Sequence, residues 1–267
     1  MTGAATVARL RTGGQTWALG AQMGDDRALE NLAQALLTLW RHDDQLVVLG
    51  NMLGPNGDPA RTLDLLLLLR RRLMAANLAC DVFFLRGAQE EMWHKLLGLQ
   101  FALTPLAVLD WMLERGLAAT IEAYGANVDE GRIACRGGPR AIARWTAWLR
   151  EQQARRPGHA DLLNTLHRAA ISADGAVLLS AAGIDATRSL DDQADAFWWN
   201  GQGDAALDAA LARSVDGGWQ RLARLVRGTG PASGEASDHE RVLTVTRGKP
   251  ALVSLDAAGV LHQRIEA

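Results

Sequence analysis

Glycine-marked turns that follow short apolar runs are the places in this sequence where chemistry is first expected. An α/β protein places its site at the carboxyl ends of its sheet strands. Five turns have this form, and they are GAQMG (20–24), GNMLGPNGD (50–58), RGAQEEM (86–92), SAAGID (180–185) and VRGTGPA (226–232). Glycine supplies tight backbone geometry but no reactive group, so a site here depends on the few polar side chains that these turns carry.

The order and spacing of these turns resemble those of the calcineurin-like metallophosphoesterases, in particular the bacterial serine/threonine-phosphatase branch. That family carries GDxHG, GDxxDRG, RGNHE, an HAG-type turn and GHTP, and the resemblance covers about residues 17–231. It implies an α/β fold with two stacked mixed β-sheets flanked by helices. It also implies two metal ions, held by carboxylates, histidines and one asparagine, that activate a bridging water and neutralise the phosphate.

At the positions that hold metal in that family, most side chains of this sequence are unsuitable as ligands. The residues at these positions are Ala21, Met23, Asn51, Ala88, Ala181 and Thr229. Only Asn51 could coordinate a hard divalent ion, and a neutral amide is a poor bridge between two such ions. Gln89 stands at the family's histidine general acid, Pro55 at its phosphate-binding arginine and Gly54 at the preceding aspartate. We therefore expect no intact catalytic site, no metal and no cofactor.

Loss at so many positions predicts a pseudophosphatase, a catalytically inactive protein that acts as a regulatory, scaffolding or assembly subunit through protein–protein contacts. Two alternatives stay open. One is a small-ligand sensor that keeps the old cleft. The other is an active phosphoesterase with a rebuilt or single-metal site. Asp25, Asp26 and Asp58 lie beside the lost positions, although the first two could instead cap the following helix. Glu90 and His94, four residues apart, could share a metal or form a polar pair at the surface.

Apolar residues replace charged ligands around the predicted cleft. Met23, Met52, Leu53 and Pro55 are expected to line its rim. Because apolar groups clustered at an accessible edge favour an interaction site, Met23, Met52 and Leu53 are candidate contacts for a protein partner or for a second copy of the chain.

A basic stretch over residues 132–156 supplies the second candidate surface. It carries seven arginines against one acid, and Trp145 and Trp148 lie three residues apart within it. Arg140, Arg144 and the two tryptophans are the candidate contacts. A partner face that is apolar at its centre and acidic at its rim would match them. The alternative places the tryptophans in the core and the arginines in water.

The elements that must position these turns alternate between strand and helix in the first half. Strands are predicted at 16–20, 46–50 and 81–86, and helices at 25–40, 61–77 and 88–99. This alternation favours a largely parallel sheet. A helical insertion follows over about residues 100–170, with helices at 105–115, 139–153 and 159–170. The last third is predicted to contain a hairpin at 174–175, strands at 241–246, 251–255 and 260–264, and loops at 213–218 and 228–239. One composite domain over 1–267 is the economical interpretation.

The composition is that of a globular chain. Of 267 residues, 48% are hydrophobic and 22% charged, which excludes a mainly disordered chain. The net charge of −2 does not favour nucleic-acid binding. Cys80 and Cys135 are too few for a disulfide framework, and no apolar signal core is visible, so a cytoplasmic location is expected. The longest apolar run, 65–69, is too short to span a membrane.

Overall fold

Two five-stranded mixed sheets form the centre of the fold. The computed structural model describes residues 6–76, 80–214, 218–230 and 239–267. The strands in these ranges are β1 (Val7–Arg9), β2 (Thr16–Leu19), β3 (Gln45–Val48), β4 (Asp81–Phe84), β5 (Ala169–Ile171), β6 (Val177–Ser180), β7 (Arg224–Thr229), β8 (Val242–Thr246), β9 (Ala251–Leu255) and β10 (Leu261–Glu266). One sheet has the order β1-β5-β6-β7-β8 and the other β10-β9-β2-β3-β4. The predicted class, two mixed sheets flanked by helices, is confirmed.

Helices connect the strands and cover the sheets. They are α1 (Asp26–Leu39), α2 (Pro59–Ala76), α3 (Ala88–Leu97), α4 (Pro105–Glu114), α5 (Leu117–Ala123), α6 (Val128–Arg136), α7 (Pro139–Ala154), α8 (His159–Asn164), α9 (Ala196–Trp199) and α10 (Asp204–Arg213). Within the described ranges, no helix is long and apolar enough to cross a membrane. In the first half, β2, β3 and β4 are joined by α1 and α2 and pair in parallel, as the alternation predicts.

Side chains alternate between the two faces of each strand, and the fold has four layers: two sheets packed face to face and a layer of helices on the outer face of each. Ala18 and Val47 point into an apolar cluster that also contains Leu179 and Val226 of the other sheet, so the two sheets pack face to face. Trp17 points the opposite way, into the core beneath α1, α2 and α3. On the far side of the molecule, residues of β5, β6 and β7 pack against α9 and α10. This period of two is what a strand buried on both faces produces.

The helical insertion, α4–α8, packs onto the same core as the helices of the β2–β4 sheet. A hydrogen-bond chain from buried Tyr124 through His159 to exposed Asp64 ties it to α2. His159 lies 2.9 Å from Tyr124 through Nδ1 and 2.9 Å from Asp64 through Nε2. Burial lowers the pKa of His159 and so favours the neutral ring. In that form the Tyr124 hydroxyl donates to Nδ1, and Nε2–H donates to Asp64.

Several elements differ from the sequence expectation. The hairpin at 174–175 is confirmed, because β5 and β6 pair antiparallel around it. The helix predicted over 159–170 ends at Asn164, and Ala169 begins a strand. Residues 228–229, predicted as loop, end β7, while 231–238 of that predicted loop lie outside the described residues. β7 was missed because Arg224 and Arg227 interrupt its apolar pattern.

Candidate functional site

The five glycine-marked turns, the fifth of them described as far as residue 230, meet at one edge of the two sheets. The first and second are joined by hydrogen bonds from the Gln22 and Met23 amides to the Asn51 carbonyl, of 3.1 and 2.7 Å. The fourth and fifth are joined by the Thr229 amide, which donates to the Ala181 carbonyl at 3.0 Å. A Cβ atom at Gly228 would lie 2.7 Å from the Leu49 carbonyl oxygen, so the two groups of turns are in close contact. The expected convergence of these turns is present.

Strained backbone marks the first two turns. Met23 and Asn51 have φ values of 53° and 49°, in the left-handed region that residues other than glycine rarely adopt. Gly50 has φ 76°, and a Cβ atom there would lie 2.7 Å from the Gly87 amide nitrogen. Such strain persists only where the surroundings hold it, and it is often found at functional sites.

Side chains at the positions that the resemblance aligns with metal ligands offer almost nothing to a metal. Ala21 and Ala181 are buried methyl groups, and Asn51 is buried too. The Asn51 Oδ1 atom accepts the Gln89 backbone N–H at 3.1 Å, and Gln89 turns its Nε2 to the Arg115 carbonyl, 2.8 Å away. Across the described part of the chain, no three His, Cys, Asp or Glu residues form a group that could hold a metal ion.

Glu90 connects the second and third turns, a role that the sequence analysis missed. Its Oε2 atom accepts the Asn51 and Gly87 amides at 2.8 and 2.9 Å, and its Oε1 atom accepts the Leu53 amide at 2.9 Å. Burial raises the pKa of this carboxyl, and the three N–H donors oppose that rise because they bind the ionised form. The proposed surface pair with His94 is wrong, because Glu90 is only 3% exposed. The available signal was that Glu90 keeps the acid of the RGNHE pattern.

The three aspartates considered for a rebuilt site are held by neighbouring groups. Asp25 caps α1, because its Oδ1 accepts the Ala28 amide at 2.9 Å. Asp26 pairs with Arg61 at 3.1 Å through Oδ2, and its Oδ1 accepts the Asp58 amide. The Asp58 Oδ1 accepts the backbone amides of Ala60 and Arg61, in the first turn of α2. The capping interpretation is confirmed for Asp25.

The predicted apolar rim needs correction. Met52 and Leu53 are 0% exposed and belong to the core beneath the sheet, so they cannot contact a partner. Both side chains pack into this core, and the Leu53 amide donates to buried Glu90. Met23 is half-buried and lines a cavity. Pro55 is exposed and lies over Gly116, where a Cβ atom would come within 2.9 Å of its ring. Gly54 is buried.

That cavity, of about 450 Å³, lies beside the first and fifth turns. A buried ion pair between Arg227 and Asp204 lies in its wall. Arg227 also donates to Thr244 Oγ1 at 2.8 Å and to the Ala182 and Gln202 carbonyls at 3.0 and 2.8 Å. Burial lowers the pKa of Arg227, and the Asp204 charge opposes this. The guanidinium is therefore held by protein groups.

The remaining candidate contact residues all lie in the helical insertion, and some of them are buried while others are exposed. Trp145 is 8% exposed and packs in the core, as the alternative interpretation expected. Trp148 is 38% exposed. Arg140 and Arg144 are exposed and form no ion pair with a described residue. Ile133 is exposed beside them, and the sequence analysis missed it.

Comparison with known proteins identifies a fold and no family. No family model and no curated protein matches the chain. A crystal structure of the cold-active protein-tyrosine phosphatase of a psychrophile, Shewanella sp., matches with a TM-score of 0.50 at 14% identity, over 98% of this chain and 83% of that one. Another structure of a cold-active protein tyrosine phosphatase, at 1.1 Å, gives the same TM-score and identity over 98% and 81%. The chain therefore has a phosphatase fold.

Proposed function

We propose that the protein is a degenerate member of the calcineurin-like, bacterial serine/threonine-phosphatase branch. In this proposal it has no phosphatase activity and acts as a regulatory, scaffolding or assembly subunit through protein–protein contacts. The fold is compatible with this descent, and the ordered turns at the strand ends support it.

One observation carries the inactive assignment. Asn51 is the single former ligand position with a side chain suited to a hard metal, and its Oδ1 atom already accepts the Gln89 amide. A two-metal hydrolase needs several charged ligands around each ion, held by further hydrogen-bonding groups. The turns are held together by backbone bonds and by Glu90, so the loops persist without a metal centre.

Metal analysis tests this assignment. Protein purified without chelator should contain no stoichiometric Mn, Fe or Zn, and should not hydrolyse phosphoesters above background with those metals added. Stoichiometric metal together with metal-dependent turnover that is lost in Asn51→Ala would contradict the proposal.

Single reversions sharpen the same test. Ala21→Asp or Asn51→Asp should restore no activity, because one carboxylate cannot hold two ions. Ala21 is 1% exposed, so aspartate at this position buries a carboxyl group that takes up a proton instead of remaining charged. This should lower the free energy of unfolding by roughly 1–3 kcal/mol. Ala257→Asp, in an exposed turn, is the matched control and should change it little. A single revertant with clear phosphatase activity would contradict the proposal.

A small-ligand sensor is the second candidate, and one observation favours it. Gln22 lines the 450 Å³ cavity; its Nε2 donates to the Gly20 carbonyl, but its buried Oε1 has no hydrogen-bond partner in the described residues. Mass spectrometry of the native and then the denatured protein would detect a retained small molecule. Its loss in Gln22→Leu would place that molecule in this cavity.

A further inference from the structure

A groove on the surface of the insertion runs between α6 and α7 and encloses about 530 Å³. We call it the α6–α7 groove. Ile133 and Ala134 of α6 line one side, and Ala141 and Trp148 of α7 line the other. Ile133 is 64% exposed. Two large apolar side chains, Ile133 and Trp148, are thus accessible in one concave surface, which is typical of an interaction site.

The floor of the groove is rigid. Buried Trp145 forms it, and Gly131 of α6 lies against this ring. A Cβ atom at Gly131 would lie 2.7 Å from the Trp145 ring, so the close approach of the two helices needs glycine at this position. A preformed groove binds at a lower entropic cost than one that must open.

Charge is distributed unevenly around the groove. Arg144 lines the α7 side, and Arg140 lies one turn earlier on the same helix; both are exposed and lack an ion pair with any described residue. Arg132 and Arg155 of the insertion are paired, with Asp110 at 3.0 Å and with Glu151 at 2.7 Å. Glu130, which is exposed, lines the groove on the α6 side, so it is the α7 side that complements a partner with acidic side chains.

We propose that the α6–α7 groove binds an amphipathic helix of a partner protein. Its apolar side chains would pack on Ile133 and Trp148, and its acidic side chains would pair with Arg140 and Arg144. This inference rests on the proposed function, since it names the partner chemistry of a protein-binding subunit. A helix fits because both walls are helices, whose backbones offer no strand edge to an extended peptide.

A second copy of the chain is a poorer occupant. A two-fold contact through this groove would set the same patch against itself. Two patches in which Arg140 and Arg144 outnumber Glu130 would then face each other, and like net charges across an interface are unfavourable. The charge pattern thus favours a different protein.

A peptide assay tests the chemistry directly. The probe is a fluorescein-labelled helix of about five turns, with leucine along one face and glutamate elsewhere. The full chain should bind it, and Arg140→Glu/Arg144→Glu should weaken binding by about tenfold or more. Trp148→Ala and Ile133→Ala should weaken it to a similar degree. The charge-reversed variant should instead prefer the same peptide with lysine in place of glutamate.

The matched control is Arg70→Glu/Arg71→Glu on α2, which also reverses the charge of two exposed arginines on one helix. It should bind the glutamate peptide as the parent does. Equal binding by the parent and by Arg140→Glu/Arg144→Glu, or equal loss in both charge reversals, would overturn the proposal.

Photo-crosslinking in the native cell distinguishes a failure of the groove proposal from a failure of the proposed function. The full chain would carry p-benzoylphenylalanine at position 148, or at position 101, where Phe101 is exposed outside the groove. We expect an adduct from 148 that is not twice the mass of the chain and that disappears with Arg140→Glu/Arg144→Glu. Adducts from 101 but none from 148 would overturn the groove and leave the proposed function standing. No adduct from either position, or from further exposed positions, would count against both. An adduct of twice the chain mass from 148 would make a second copy the occupant and overturn the proposal.

Discussion

The strand-end turns and the α6–α7 groove differ in where their charged and polar groups are directed. At the turns, Glu90 and Asn51 bind backbone groups of the neighbouring turns, and Arg227 binds Asp204 and two carbonyls. In the groove, Arg144 is directed to solvent beside exposed Trp148. The strand-end turns thus have the contacts of a core, and the groove on the insertion is open to solvent.

This difference predicts which property, stability or binding, a substitution in each region should change. A polar group that bonds only to its own protein contributes to stability, so its loss lowers the free energy of unfolding. A charge in water contributes little to stability, so its loss changes what the surface can bind. Variants at the turns should therefore unfold more easily, and variants at the groove should not.

Arg227→Met should have the largest effect. It leaves the Asp204 carboxylate buried without its cation, and breaking a buried ion pair costs about 3–5 kcal/mol. Chemical denaturation would measure the free energy of unfolding. Arg188→Met, which removes an exposed pair with Asp185, is the control and should cost about 1 kcal/mol or less. Equal effects of the two variants would refute the view that the turns are held like a core.

Glu90→Gln should come next. One amide oxygen can replace Oε2, but the amide NH₂ group then faces the Leu53 N–H, and both are donors. A buried donor without a partner costs about 1–3 kcal/mol. Urea denaturation at neutral pH measures this, with exposed Glu114→Gln as the control. If Glu90→Gln is as stable as the parent, the carboxylate does not hold the turns together.

Much of the fold was predictable because its signals are local. The β2–α1–β3–α2–β4 order follows from apolar runs and from helical spacing, and the hairpin at 174–175 follows from its Asp-Gly pair. β7 was not predictable, because a buried arginine, Arg227, lies within it. Its burial is stabilised by Asp204 and by carbonyl groups that are distant in the sequence, and no local sequence pattern indicates such partners.

The convergence of the turns was predictable from the sequence, but the exposure of their side chains was not. The turns follow strands of both sheets, and the two sheets present these strand ends at one edge. Which apolar residues face solvent depends on packing: Met52 and Leu53 pack into the core beneath the sheet, whereas Ile133 faces solvent on α6. Trp145 and Trp148 differ in burial although they are three residues apart, since only one side of α7 meets the core.

Arg140→Glu/Arg144→Glu should have the smallest effect on stability. Both side chains are exposed and pair with no described acid, so their reversal should shift the free energy of unfolding by about 0.5 kcal/mol or less. The new glutamates lie in a stretch with excess positive charge, which also limits any cost. Thermal and urea denaturation against the parent would measure this shift. A loss as large as that of Glu90→Gln would mean that these arginines support the insertion itself, and the contrast between a core-like site and an open surface would then fail at the groove.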